Sequence, residues 1–191
     1  MRLAPLGLTL IAMFSSPAFA HPGLDHVHSL ESGVLHPLSG ADHVFVMASV
    51  GLWAALVGGR AIWAWPLAFI AAMLGGFAAA RLGLQISFVE PAISISVVVL
   101  GLLIAVGIET PLALGAAIVG LFAFFHGHAH GTEAAGAGIF SYAAGFTLST
   151  AVLHAAGVGL GLGARSLVER ITGVPTRRMR STAGGGGGGL Q

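Results

Sequence analysis

The segment 112-LALGAAIVGLFAFFHGHAHGTE-133 joins two unlike halves. Residues 112–125 carry no charge, whereas residues 126–133 hold three histidines and a glutamate. A charge-free run suits a helix in lipid, and imidazole and carboxylate groups seek metal ions or water. Which solvent surrounds the run decides the fold. Of the 191 residues, 55% are hydrophobic and only 8% are charged, with a mean hydropathy of +0.91. Soluble domains carry about 25% charged residues. A surface so poor in charge cannot face water, so the bilayer is the solvent.

Working outward, four further apolar segments accompany this one. The expected spans are 34–57, 62–82, 90–107, 111–131 and 138–163, each near the roughly 20 residues that a helix needs to cross a bilayer. Short breaks separate them: 58-GGR-60, 83-GLQISF-88 and 107-GIETP-111. Pro91 and Pro111 stand where helices could begin, and proline is tolerated in a first turn. The fold class is therefore all-α: a polytopic integral membrane helix bundle of five spans. The pairs Gly157/Gly161, Gly159/Gly163 and Ala116/Gly120 read as close helix packing. Trp53, Trp63 and Trp65 read as an aromatic belt.

The first residues, 1-MRLAPLGLTLIAMFSSPAFA-20, combine Arg2, a short apolar run and an Ala-x-Ala site. This is the pattern of a cleaved signal peptide over 1–20. A lead of 21–33 follows, carrying His21, Asp25, His26 and His28. The bundle then occupies 34–163 and an Arg- and Gly-rich tail occupies 164–191, ending in 184-GGGGGGLQ-191. With the mature N-terminus outside the inner membrane, Arg60, Arg165, Arg170, Arg177, Arg178 and Arg180 fall inside and Arg81 outside, as the positive-inside rule asks. The C-terminus is then cytoplasmic, and both 36-HPLSGADH-43 and 126-HGHAHGTE-133 lie on the periplasmic side.

Several function classes drop out. The chain has no cysteine, which removes disulfides and thiolate chemistry. No Walker loop is present, so the chain does not use ATP itself. No basic polar domain exists to bind nucleic acid. The expected metal site uses imidazole, carboxylate, backbone or water, which favours Ni²⁺, Co²⁺ or Zn²⁺ over Cu⁺.

Asp42 lies inside the first span, where a carboxylate costs about 2.5–3.5 kcal/mol on insertion scales. It accompanies His36 and His43. These two are seven residues apart, about 10.5 Å along a straight helix, too far for one ion unless the helix distorts near Pro37 or Gly40. The expectation is that Asp42 and His43 form one level, with His36 a gate above it. His126, His130 and Glu133 share one helical face, and His pairs at i, i+4 commonly grip a divalent ion. Gly127 and Gly131 could instead open this end into a loop and admit His128. Glu90 is either a helix-start carboxylate favoured by the dipole or a cation-attracting group at the mouth. His154 is either a helix–helix hydrogen-bonding group or a lower station on an ion path. Glu109 is an exit ligand or a turn residue.

These residues resemble the HupE/UreJ family of bacterial nickel permeases. HPLSGADH, residues 36–43, is similar to that family's H-x5-D-H motif. FHGHAHGTE, residues 125–133, is similar to its F-H-G-x-A-H-G-x-E motif. The leader before His21, 90-EPAISISVVVLGLL-103 and 153-LHAAGVGLGLG-163 also fit, so the resemblance covers nearly the whole chain to about residue 170. It implies metal uptake, usually of nickel and in some members of cobalt, for hydrogenase or urease maturation. It also implies metal-handling places for His36, Asp42, His43, His126, His130 and Glu133, with Glu90 a companion. Members commonly carry a sixth apolar segment where this chain has TRRMRSTAGGGGGGLQ, residues 176–191.

The expected activity is not enzymatic, and no cofactor is held permanently. The expected partners are a divalent metal ion and lipid, with a homo-oligomer as an option. An inward-negative potential favours dication entry by about 4.6 kcal/mol per 100 mV. Three rival readings remain at this point: a Co²⁺ permease, a redox protein ligating haem through His126 and His154, and an accessory protein that binds an ion without moving it.

Overall fold

The computed structural model describes residues 29–108, 110–134 and 138–175. The expected signal peptide, residues 21–28 of the lead, Glu109 and residues 176–191 lie outside the described residues. Among the described residues six helices follow in order: α1 Leu30–Ser39, α2 Ala41–Val57, α3 Ala61–Arg81, α4 Val89–Val106, α5 Leu112–Glu133 and α6 Ile139–Thr172. No strand occurs among the described residues. Helices α3 to α6 are each long and apolar enough to cross a membrane, and α1 and α2, bent by 87° at their junction, are so only as a pair, which makes four spans, or five where the pair counts as one. The protein is an all-helical integral membrane protein.

Local chemistry explains most boundaries. Ser29 and Ser32 form a capping box: each side chain accepts from the other's backbone N–H, at 3.1 and 2.9 Å, and this starts α1. Pro37 removes a donor from the last turns of α1. Gly40 then adopts an extended conformation, ends α1 and begins α2 on a new axis. Pro111 precedes α5, and Pro91 falls in the first turn of α4. Gly58, Gly107 and Gly173 close α2, α4 and α6 at positive φ.

Two helix bounds depart from expectation, and one open alternative is decided. The first span is two helices rather than one. The fourth runs unbroken to Glu133, so no loop opens at Gly127 or Gly131. The last continues to Thr172. At 1.5 Å per residue it is about 50 Å long, longer than the roughly 30 Å hydrocarbon layer. Its two ends cannot therefore both lie within that layer.

Glycine governs two helix contacts. A Cβ on Gly127 would strike the carbonyl of Met73, and one on Gly131 would come within 2.6 Å of that of Phe77. One on Gly115 would strike the Trp65 ring. Residue numbers rise together along both partners, so α3 and α5 run parallel in close contact. The same holds for α2 and α6, where Gly157 meets the Ala48 carbonyl and Gly161 meets Ala55. Of the expected small-residue pairs, Gly157/Gly161 is at an interface. Gly159 and Gly163 have nothing within 4 Å of a Cβ, and Gly120 meets only Ala72, at 3.8 Å.

The core follows these contacts. Trp53, Trp65, Phe69, Met73, Phe77 and Phe146 are buried between the helices. Of the three tryptophans expected in an aromatic belt, only Trp63 is exposed, at 54%. Trp53 and Trp65 are core residues whose rings lie 4.3 Å apart, and the Trp65 indole N–H donates to the Leu112 carbonyl at 2.9 Å. They fill the end of the bundle where α2 finishes and α3 and α5 begin.

Candidate functional site

The opposite end is polar. The break at Gly40 turns α1 across the start of α2, so His36 and His43 approach each other instead of stacking along one axis. Their ring centroids are 5.9 Å apart. The separate levels expected for them therefore do not exist. From α5, His130 enters the same space, with its centroid 4.8 Å from His36 and 5.1 Å from His43. One ring nitrogen from each of the three lies within 4.8 Å of the others. Two nitrogens each about 2 Å from an ion are at most about 4 Å apart, so a small inward rotation would close the three around a cation.

Two carboxylates flank the triad. Asp42 Oδ1 accepts from both the backbone N–H and the Nδ1–H of His43, each at 2.9 Å. That fixes His43 with its proton on Nδ1 and its Nε2 lone pair free, the arrangement by which a carboxylate orients a metal-binding imidazole. Glu133 Oε2 is 3.1 Å from His36 Nε2 at the exposed rim. Asp42 and His43 do pair as expected, and His126, His130 and Glu133 lie along one face of α5.

His126 is fully buried, with its ring 5.3 Å from that of His43. Its Nδ1–H donates to the Phe122 carbonyl at 2.9 Å, which leaves Nε2 as a lone-pair donor. His43 Nε2, His126 Nε2 and both nitrogens of His130 are buried without a hydrogen-bond partner. An unsatisfied buried polar group costs about 1–3 kcal/mol, so four such atoms on three neighbouring imidazoles call for a ligand. Neutral nitrogen donors beside carboxylates suit a borderline divalent transition metal.

The remaining expected residues are elsewhere. His128 points away from the triad, and its Nε2–H donates to the Leu84 carbonyl at 2.7 Å, tying α5 to the α3–α4 loop. Glu90 is exposed in the first turn of α4, and no hydrogen bond or ion pair joins it to the triad. His154 is buried deeper in α6, its Nδ1–H donating to the Thr150 carbonyl at 2.7 Å. Phe69 separates it from His126, with ring distances of 5.0 and 5.9 Å. A haem bridging His126 and His154 would need the volume that this fully buried phenyl ring fills.

Sequence reasoning missed the walls. Phe146 stacks on His130 at 4.8 Å and an interplanar angle of 13°, Phe77 lies 5.3 Å from Phe146, and Tyr142 lies 5.9 Å from His36. The spacing Phe69, Met73, Phe77 on one face of α3 was the available signal.

The likeness to known proteins agrees with this geometry. The family described as HupE / UreJ protein matches residues 8–185. Protein HupE of Rhizobium leguminosarum bv. viciae is 41% identical over 162 residues, covering 84% of each chain. No solved structure matches. A family match over nearly the whole chain and a relative 41% identical over 84% of it lead to one conclusion: this protein belongs to the HupE / UreJ family.

Proposed function

We propose that the protein carries a divalent transition-metal ion, chiefly Ni²⁺, inward across the bacterial inner membrane, by facilitated diffusion or secondary transport, to supply hydrogenase or urease maturation. In this reading residues 1–20 are a signal peptide, 21–33 a periplasmic lead and 164–191 the cytoplasmic end. The triad then faces the periplasm. The observation that carries the reading is the meeting of His36, His43 and His130, from three helices, with their nitrogens within 4.8 Å. Few ligands, loosely held and open to the rim, suit an ion that must leave again.

The test is uptake of radioactive Ni²⁺ into proteoliposomes, with Co²⁺ and Zn²⁺ as competitors. Asp42→Ala and His130→Ala should each abolish accumulation at normal protein levels. Near-wild-type uptake in both would refute the site. Binding without uptake by the wild-type chain would make it an accessory protein, and stronger competition by Co²⁺ than by Ni²⁺ itself would make it a cobalt permease.

A further inference from the structure

Below the histidine triad, three side chains from three helices converge on one buried point. Thr150 Oγ1 on α6 lies 3.3 Å from Met47 Sδ on α2 and 3.7 Å from Met73 Sδ on α3. All three residues are completely buried. A helical threonine or serine ordinarily returns its hydroxyl to a carbonyl three or four residues back. Ser96, Thr132 and Thr172 do so in this chain, with Ile93, Ala129 and Val168. Thr150 instead directs its hydroxyl at two thioethers. It has one proton for two sulfurs, so the two thioethers share a single donor.

Two orphaned imidazole nitrogens belong to the surrounding helices. Phe146, which stacks on His130, and then Thr150 and His154 follow at four-residue steps along α6, about 6 Å each. His154 Nε2, one turn past Thr150, is buried without a partner, and so is His126 Nε2 on the triad side. Phe69, one turn from Met73 on α3, contacts both imidazole rings. Methionine as plain core filler would account for the sulfurs. It does not account for a hydroxyl diverted from its own helix to two thioethers.

We propose that Met47, Met73 and Thr150 form a second, inner station for a soft or borderline transition-metal cation, through which the ion passes from the triad toward His154. The inference rests on the transport reading above. The donors are two thioether sulfurs and a hydroxyl, all neutral, so a dication is held weakly and passed on. Thioether ligands favour softer ions than imidazole and carboxylate do. Ag⁺ should therefore lodge there and block the path.

The experiment compares wild type with Met47→Leu/Met73→Leu, a volume-conserving pair of changes. It adds Thr150→Val and, as the hydroxyl-retaining control, Thr150→Ser. Radioactive Ni²⁺ uptake and its inhibition by Ag⁺ are measured in proteoliposomes, and Ag⁺ stoichiometry is measured on the purified full chain. Even outer-shell changes at metal sites cost 10–100-fold, so the double leucine variant should take up Ni²⁺ at least about tenfold more slowly. It should lose Ag⁺ sensitivity and bind one Ag⁺ fewer. Thr150→Val should be slow, and Thr150→Ser near wild type. Wild-type uptake, Ag⁺ block and Ag⁺ stoichiometry in the double variant would overturn the station and leave the transport reading intact. If the wild-type chain moves no Ni²⁺, the transport reading fails, and the Ag⁺ stoichiometry still decides whether the sulfurs bind a soft ion.

Discussion

The two histidine-bearing parts of the site solve the same geometric problem in opposite ways. On α5 the helix stays intact, and His126 and His130, one turn apart, present their rings along a single face. On α1 and α2 the helix breaks, and His36 and His43, two turns apart in sequence, are folded toward one point. A continuous helix can offer ligands only in a row, about 6 Å apart. A broken one can offer them from two directions at once. Irregular backbone at membrane depth is tolerated only where it lines a cavity or is buried in protein. The break at Gly40 marks where the bundle opens to its polar end.

The intact half depends on contact more than on periodicity. Gly127, between His126 and His128, places the α5 backbone against the Met73 carbonyl. Gly127→Ala should therefore have the largest effect of the changes that break this comparison. Overpacking costs about 1–3 kcal/mol, and here backbone meets backbone, so α5 must retreat and carry both histidines with it. The expected outcome is a lower thermal unfolding midpoint in detergent together with loss of Ni²⁺ uptake. Gly163→Ala, where a Cβ meets nothing within 4 Å, should change neither. Equal behaviour of the two variants would show that the close α3–α5 approach does not aim the imidazoles.

The broken half should be sensitive in function rather than stability. Gly40 has a negative φ that any residue adopts, so alanine brings no backbone strain. Its Cβ would come within 2.8 Å of Asp42 Oδ1 and 2.9 Å of His43 Nδ1, the two atoms of the orienting hydrogen bond. Gly40→Ala should leave the unfolding midpoint near wild type and slow uptake about tenfold, the lower end of what displaced outer-shell partners cost. A stability loss without a transport loss would reverse the roles assigned to the two halves.

This contrast also explains what could be read from the chain. The spans, and the presence of both motifs at one end, follow from composition, the arginine distribution and segment length. The shared face of His126, His130 and Glu133 follows from helical repeat alone. So does the Asp42–His43 level, because the two are adjacent. The bend at Gly40 was legible only as a condition. Pro37 and Gly40 permit it, but tertiary contacts hold it: Gly33 against Tyr142, and Gly145 against the Leu30 carbonyl, lay α1 on α6. Such contacts leave no periodic trace in sequence. The same limit hid the burial of Trp53 and Trp65 and the convergence of Met47, Met73 and Thr150.

His128 gives the mildest test, and it sharpens the comparison within α5 itself. It shares the motif with His126 and His130, yet two residues of helix turn it about 200° from His126. Its Nε2–H holds the Leu84 carbonyl of the α3–α4 loop. Removing a neutral hydrogen bond of this kind costs about 0.5–1.5 kcal/mol. His128→Ala should thus lower the unfolding midpoint slightly and keep most Ni²⁺ uptake, whereas His130→Ala, one turn of ligand face away, should keep the midpoint and lose the uptake. Both variants remove one imidazole from the same eight residues. If His128→Ala also abolished uptake at normal protein levels, position on the helix would no longer separate ligand from anchor, and the loop it ties down would have to be counted as part of the path.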